Sequence, residues 1–482
     1  QDVRGRSASE GIWTPFVNES NDGYDTVEWA AEQPWSTGNV GVFGSSYLGV
    51  TSLQAAAAAP PHLGAAIAYL ASANYHSSWT YSGGAFELGF SLWWTSFLAW
   101  DTWAREGADP EVLAELSKVA SDWQTAARQN PLADMPGFDR AAPYWRDWFD
   151  HPEYDDYWAA SDAVGRAGDI RVPLLSVAGW YDNFLRGQLD LQMALQANGH
   201  PDVRDEHRFI AGPWDHEAYL SVRPTSAGSR EFGPAALGGV NMMTELALSW
   251  FDRWLRDGDG PDLPPVRYYV MGENRWAEAP AWPPEGTVEL WRLHSTGGAN
   301  GPDGGGSLST AAGSDSGGPD LLDHDPADPV PTAGGRTLQP IFGPGGVQDQ
   351  AEVEAHPNVL VYTSEPLSSP ITVAGPIRAT LHVATDKARA DVAVKLVDVE
   401  PDGRAFNIAE GILRSRFTPD EVTEVEVDLW DVAHTFQEGH RIRLHVAGSN
   451  FPRFDLSPEP TVLKIHHDDD HPSGVALPVI AA

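Results

Sequence analysis

Residues 38–49 read Gly-Asn-Val-Gly-Val-Phe-Gly-Ser-Ser-Tyr-Leu-Gly and decide the fold of this 482-residue chain. The valines and the phenylalanine predict a short buried strand, and the small Gly44 leaves room for a tight turn onto a helix that begins at about Tyr47. A serine on such a turn projects its hydroxyl above the sheet, and the next backbone N–H lies at a helix N-terminus, where negative charge is favoured. The stretch therefore predicts a nucleophile elbow with Ser46 at its corner.

The elbow departs from the common pattern Gly-x-Ser-x-Gly. Leu48 stands where the last glycine is expected, and Gly49 follows one position later. Taken alone, the stretch is therefore also compatible with a strand–helix turn that has no chemistry. The neighbouring Ser45 is the rival serine, but its place before the turn predicts a side chain that points into the packed sheet.

A nucleophilic serine needs a base, and the base needs an orienting carboxylate. An apolar run at 171–179 predicts a strand, and Asp182 follows it. The run 208–213 predicts the next strand, and His216 follows that one. The order Ser46, Asp182, His216 is that of α/β-hydrolases, so we predict these three residues as a catalytic triad.

Other acids and histidines have less specific interpretations. His207 precedes its strand, so we expect a solvated turn residue at the opposite end of the sheet. Asp190 lies on a predicted helix and Asp215 stands directly beside His216, so either is expected to be a surface or capping carboxylate.

The fold class predicted from the pattern is α/β with an additional β-domain. Strand–helix alternation over 1–74 and 165–275 predicts one mostly parallel sheet in two parts, interrupted by a helical cap at 75–164. Over 276–482 apolar residues recur at every second position, which predicts a β-sandwich.

Several segments together resemble the bacterial cocaine esterase and X-Pro dipeptidyl-peptidase family of serine hydrolases. The resemblance implies an α/β-hydrolase sheet with an inserted helical cap, followed by a C-terminal jelly roll. The segments that carry it are Gln1–Gly11, Gly38–Gly49, Gly179–Phe184, Gly212–His216 and Val266–Gly272.

The family also implies an aromatic acyl pocket. Its members place aromatic side chains near the positions that the cap occupies here, although most cap aromatics are expected to be helix-packing core. The candidates are Trp79, one of Trp93 and Trp94, and Phe184, with Leu338 and Phe342 as weaker ones from the jelly roll.

The predicted activity is hydrolysis of a small carboxylic ester through an acyl-enzyme, with the backbone N–H of Tyr47 as an oxyanion donor and without any cofactor. Asn183 and Phe184 follow the catalytic aspartate, which favours a neutral or aromatic acyl group. X-Pro dipeptidyl-peptidase and α-amino acid ester hydrolase activity are the alternatives, and both would need an acidic anchor for the substrate's amino group. A degenerate hydrolase that binds a partner through its jelly roll is the alternative of another class.

Members of the family begin with further strands ahead of the Gln1 segment, and in cocaine esterase-like members a tyrosine there donates to the oxyanion hole. Removal of one such donor typically costs about 10²–10³ in rate. We therefore expect the present chain to be poorly active or unstable by comparison with an N-terminally extended form.

Composition excludes several partners. The net charge is −37, from 68 acidic and 31 basic residues, and such a surface repels nucleic acid and anionic membranes. No apolar run is long enough to span a membrane, and no cysteine is present, so we expect no membrane span, disulfide or thiolate metal site. The absence of cysteine does not decide the compartment, for which we expect the cytoplasm. Consecutive polar residues cannot all converge on one ion, so the run at 466–471 predicts a solvated loop and no metal site. The sequence does not indicate an oligomeric state.

Overall fold

The computed structural model describes residues 1–105, 109–220, 225–256, 258, 260, 262–312 and 317–481. In chain order its α-helices are α1 Glu19–Ala31, α2 Tyr47–Ala58, α3 Leu88–Arg105, α4 Pro110–Ser121, α5 Trp123–Ala127, α6 Phe138–Ala141, α7 Tyr144–Asp150, α8 Asp156–Ala159, α9 Leu185–Asn198, α10 Gly239–Arg256 and α11 Ala351–Glu354. The strands of the N-terminal half are β1 Val40–Ser45, β2 Leu63–Tyr69, β3 Tyr81–Ser82, β4 Ala85–Phe86, β5 Leu174–Tyr181, β6 Arg208–Asp215, β7 Ser226–Ala227, β8 Arg230–Glu231, β9 Val266–Val270 and β10 Arg275–Ala279. Those of the C-terminal half are β11 Thr287–His294, β12 Ser307–Ser309, β13 Asp320–His324, β14 Val359–Thr363, β15 Ile371–Thr385, β16 Arg389–Val399, β17 Ala405–Arg416, β18 Thr423–Phe436, β19 Arg441–Ala447, β20 Thr461–His466 and β21 Gly474–Val479.

Strand–helix alternation builds the first sheet. Over the described ranges its order is β1-β2-β5-β6-β9-β10, and every pair except β9–β10 is parallel. Helices cover both faces, so the inner strands are nearly continuous apolar runs, and β5 is buried at every residue. Because β1, β2, β5 and β6 run in the same direction, the loops that follow them meet at one edge of the sheet.

The segment between β2 and β5 is mainly helical. It contains α3 to α8, a π-helical turn at His76–Thr80 and a 3₁₀ turn at Leu132–Asp134. It also contains the two-residue strands β3 and β4, which sequence reasoning missed because so short a pairing leaves no alternation to detect. The interior of this cap is aromatic, with Trp79, Trp145 and Trp148 almost fully buried.

From β11 onward the chain forms a mostly antiparallel β-domain, as the period-two pattern predicts. Within the described residues the strand order is β13-β20-β15-β21-β11-β12-β14-β19-β16-β17, and β18 pairs with β15. Strand β20 alternates between buried and half-buried residues, whereas β16 is buried at every residue after Arg389. One apolar cluster joins Leu429 of this domain to Trp180 and Tyr268 of the first sheet, so the two sheets share a core.

In the part of the chain that the structure describes, no helix combines the length and the apolar character needed to cross a lipid bilayer.

Candidate active site

The turn between β1 and α2 holds Ser46 in an unusual backbone conformation, with φ 56° and ψ −128°. A non-glycine residue in so sparsely populated a region costs about 1–3 kcal/mol. The surrounding turn maintains it, since the Ser46 N–H donates to the carbonyl of Tyr69 at 3.0 Å and its carbonyl accepts from Val50 N–H at 3.0 Å. The strain places the hydroxyl at the edge of the sheet where the parallel strands end.

The glycines beside Ser46 explain the off-pattern spacing of the elbow. A Cβ at Gly44 would lie 2.4 Å from the carbonyl carbon of Leu48, and one at Gly49 would lie 2.6 Å from the Cβ of Ala71. Leu48 itself is 60% exposed and meets no such obstacle. The close approach of α2 to the segment that contains Ala71 therefore requires glycine at position 49 and not at position 48.

Ser46, His216 and Asp182 form a continuous chain of hydrogen bonds. The Ser46 Oγ lies 2.8 Å from His216 Nε2, and His216 Nδ1 lies 2.9 Å from Asp182 Oδ1. Asp182 is fully buried and His216 is 4% exposed. The Phe184 N–H donates to the same Asp182 oxygen at 3.2 Å and helps to hold the carboxylate in place. The structure thus brings together the three residues that the sequence singles out.

Tyr47 follows the serine as the first residue of α2, so its backbone N–H has no acceptor within the helix. Its phenol is used elsewhere: it donates to Glu19 and accepts from the Phe16 N–H at 3.3 Å and from Trp13 Nε1 at 3.2 Å. Burial raises the pKa of Tyr47 well above its usual value, and the Glu19 carboxylate raises it further. The phenol therefore stays protonated and connects residues 13–19 to the elbow by hydrogen bonds. No sequence motif indicates this contact.

A series of aromatic rings packs on one side of the histidine. The ring of Phe184 meets the His216 imidazole edge-on, with centroids 4.8 Å apart at 85°. Trp79 stacks on Phe184 at 4.2 Å and 4°, and Trp94 packs edge-on against Trp79 at 5.3 Å. Three of the pocket candidates therefore form one apolar wall that reaches the imidazole.

The other pocket candidates pack against the same apolar cluster as this wall. Trp93 stacks on Phe97, which is 60% exposed, with centroids 6.2 Å apart. Leu338 and Phe342 are half-buried and pack against the apolar cluster that contains Trp79.

His207 corrects one expectation. It is buried, not solvated, and its Nδ1 accepts the Leu174 N–H at 3.3 Å. Burial, together with the neighbouring Arg208 charge, lowers the pKa of His207 to about 4. His207 precedes β6, as expected, but the first residue of β5 covers it.

The two rival carboxylates have different environments. Asp190 accepts from Arg186 Nε at 2.9 Å, one helical turn away. Asp215 is the last residue of β6, and burial raises the pKa of its carboxyl to about 6, with further contributions from the charges of Glu217 and Asp182. A second carboxyl thus lies close enough to interact with Asp182.

A parallel sheet with a strained serine after one strand, and a histidine and a buried aspartate after later strands, defines an α/β-hydrolase fold of the serine hydrolase class. Residues 1–218 match the X-Pro dipeptidyl-peptidase (S15 family), and residues 260–476 match the X-Pro dipeptidyl-peptidase C-terminal non-catalytic domain. The chain is 36% identical to the cocaine esterase of Rhodococcus sp. (strain MB1 Bresler) over 515 aligned positions, which cover 100% of this chain and 87% of the relative. The chain therefore belongs to the cocaine esterase and X-Pro dipeptidyl-peptidase family of serine hydrolases.

Solved structures agree with the fold. An aminopeptidase from the marine sediment archaeon Thaumarchaeota archaeon superposes with a TM-score of 0.81 at 25% identity, over 100% of this chain and 85% of that one. An α-amino acid ester hydrolase superposes with a TM-score of 0.81 at 24% identity, over 99% of this chain and 85% of that one.

Proposed function

We propose that this protein hydrolyses carboxylic esters with Ser46 as nucleophile, His216 as general base and then general acid, and Asp182 as the orienting carboxylate. The hydrogen-bonded chain from Ser46 Oγ through the imidazole to the buried Asp182 carries this proposal. The family adds support, since the cocaine esterase relative is similar along the whole chain.

The first half-reaction forms an acyl-enzyme. Ser46 Oγ attacks the ester carbonyl while His216 Nε2 takes the hydroxyl proton, and the proton then passes to the departing alcohol. Asp182 holds Nδ1–H and stabilises the imidazolium that forms. The backbone N–H of Tyr47, which has no acceptor within its helix, donates to the oxyanion.

The second half-reaction releases the acid. Water attacks the acyl-enzyme after giving a proton to His216, and the serine leaves with that proton. The apolar wall excludes other water from one side of the histidine, because the buried Phe184 packs against the imidazole and Trp79 stacks on Phe184.

The same wall favours a small substrate with a neutral, preferably aromatic, acyl group. An aromatic acyl group can pack against Trp94, which is half-buried, while the almost fully buried Trp79 and Phe184 support that ring from within the wall. A substrate with a free amino group would instead require a carboxylate, and the position two residues after Asp182 holds Phe184.

α-Amino acid ester or X-Pro peptide hydrolysis is the second candidate. Two solved relatives are an aminopeptidase and an α-amino acid ester hydrolase, and Asp215 offers a carboxyl near Asp182. Burial, however, raises the pKa of that carboxyl to about 6, so it is less readily ionised than an ordinary aspartate and a weaker partner for an ammonium group. We therefore favour the neutral acyl ester.

A panel of p-nitrophenyl acetate, p-nitrophenyl benzoate, alanine p-nitrophenyl ester and Ala-Pro-p-nitroanilide tests the substrate class. We expect the highest kcat/KM for the benzoate, whereas preference for either amino-terminal substrate would contradict the acyl assignment.

Labelling with a fluorophosphonate tests the nucleophile. We expect Ser46→Ala to abolish labelling and Ser45→Ala, one residue away, to retain it. If Ser46→Ala is still labelled, Ser46 is not the nucleophile. If the wild type is not labelled, the result supports a binding protein instead.

A further inference from the structure

One face of the β-domain carries a row of titratable side chains across three strands. His382 of β15 is paired directly with His466 of β20 on one side and with Glu424 of β18 on the other. Directly opposed residues of antiparallel strands project from the same face. His382 and His466 are both half-buried and belong to the outward face of their strands.

The turn that follows β20 brings two more groups over this face. Asp468 Oδ1 accepts the N–H groups of Asp470 and His471, each at 3.0 Å, which fixes the turn. His471 Nδ1 then lies 3.0 Å from Oδ1 and 3.4 Å from Oδ2 of Asp468, and His466 Nδ1 lies 3.9 Å from Oδ2.

His467 does not belong to this group of side chains, and this changes the argument against a metal site at 466–471. It projects to the opposite side, where its Nε2 lies 3.2 Å from Asp320 Oδ2 in the buried interior. The run therefore does not need to converge as a whole. Three of its members, His466, Asp468 and His471, converge without it, and their donor atoms lie within 4.8 Å of one another.

The separations suit a small ion. Zinc takes nitrogen and oxygen ligands at about 2.0–2.2 Å, so two ligands of a tetrahedral centre lie about 3.4 Å apart. The distances from the Asp468 oxygens are 3.0 and 3.4 Å to His471 Nδ1 and 3.9 Å to His466 Nδ1, and they span that value. Two imidazoles and one carboxylate select zinc, cobalt or nickel over magnesium or calcium, which prefer oxygen ligands alone.

His382 is the nearest further imidazole, although its nitrogens lie outside the set of donor atoms that are within 4.8 Å of one another. Its Nδ1 is buried and has no hydrogen-bond partner within the described ranges, and its ring lies 5.6 Å from that of His471. Its other nitrogen, Nε2, lies 3.4 Å from Glu424 Oε2. Metal-bound histidines commonly donate their second N–H to a carboxylate in this way.

We propose that His466, Asp468 and His471 bind one divalent transition-metal ion, with zinc as the best fit, and that His382, next to Glu424, turns toward the ion as its fourth ligand. Four protein ligands leave no open position, so the role is structural. The ion links β15, β20 and the turn at 467–473 and stabilises this part of the β-domain, independently of ester hydrolysis.

Metal titration of the tag-free, full-length protein after treatment with EDTA tests the proposal. We expect one equivalent of Zn²⁺ by calorimetry, one equivalent of Co²⁺ with the visible absorption of a tetrahedral centre, and a rise in Tm on addition of Zn²⁺. His466→Gln and His471→Gln should each weaken binding by at least about tenfold and remove the rise in Tm.

His151→Gln is the matched control, because His151 and Asp155 form an exposed pair, 2.6 Å apart, that offers only two ligands. Circular dichroism and esterase activity of the apoprotein show that each variant is folded. The proposal is overturned if the wild type binds no saturable equivalent, if the two cluster variants bind as the wild type does, if His151→Gln weakens binding equally, or if Ca²⁺ or Mg²⁺ binds more tightly than Zn²⁺.

Discussion

Two histidines in different parts of the molecule have nearly the same surroundings and different chemistry. In the hydrolase sheet, His216 bonds Asp182 at 2.9 Å, and the ring of Phe184 meets it edge-on at 4.8 Å and 85°. In the β-domain, His434 lies 3.0 Å from Asp398, and the ring of Phe436 meets it edge-on at 4.8 Å and 83°. Both imidazoles are almost fully buried.

The second ring nitrogen separates the two sites. His216 Nε2 meets the hydroxyl of Ser46 at 2.8 Å, whereas His434 Nδ1 is buried without a hydrogen-bond partner among the described residues. The carboxylate of Asp398 is also shared, since His440 lies 2.8 Å from its other oxygen. A buried acid–imidazole pair under an aromatic ring is therefore a structural element, and a serine on a strained turn makes it a candidate catalytic one.

Replacement of the aspartate by asparagine in each pair should give the largest difference in kcat between the two sites. We expect Asp182→Asn to lower kcat for ester hydrolysis by about 10⁴-fold, because the amide favours the wrong tautomer of His216. Asp398→Asn should leave kcat within about threefold of the wild type, since it touches no group that we place in the reaction. Steady-state kinetics on p-nitrophenyl benzoate measure both, and equal losses in the two variants would show that the pairs do not differ in function.

The pH dependence of stability should show the structural role of the β-domain pair. Burial alone would raise the pKa of Asp398, but hydrogen bonds and charges from His434 and His440 bring it below the usual value. The ionised carboxylate therefore stabilises the fold above the unfolded-state pKa of about 3.9, and this contribution is lost as pH falls through the lower folded-state pKa.

Asp398→Asn should accordingly lower the free energy of unfolding by about 1.5–3 kcal/mol at pH 7, and the difference from the wild type should shrink below about pH 4. Urea unfolding of both proteins from pH 7 down to pH 3 measures it. A difference that is constant over this range would mean that the charge of Asp398 does not contribute.

The aromatic rings should have the smallest effects on catalysis. Phe184→Leu removes the ring on which Trp79 stacks and so loosens the wall next to an aromatic acyl group. We therefore expect kcat/KM for p-nitrophenyl benzoate to fall about three- to tenfold and that for the acetate to change little. Phe436→Leu, the matched change in the β-domain, should alter neither. An equal loss on both esters in Phe184→Leu would instead indicate that the ring positions His216 and does not shape the acyl pocket.

Much of the candidate site could be predicted because it depends on local sequence. Strand-length apolar runs followed by Ser46, Asp182 and His216 place all three residues at one edge of a parallel sheet, whatever the details of packing. The burial of His207 could not be predicted, since it depends on β5 lying over a residue that precedes β6. The pocket candidates Trp93 and Trp94 are adjacent in sequence, and only the packing of α3 turns Trp94 toward Trp79.

The sequence by itself determined the fold class, the order of the serine, the acid and the histidine, and the net negative charge, because strand periodicity, turn residues and composition are local or additive properties. Only the tertiary structure decided why the elbow needs glycine at 49 and not at 48, since the clash is with Ala71 on a neighbouring segment. It also decided which of two similar acid–imidazole pairs meets a hydroxyl. Both depend on contacts between residues far apart in the chain, and such contacts leave no pattern along it.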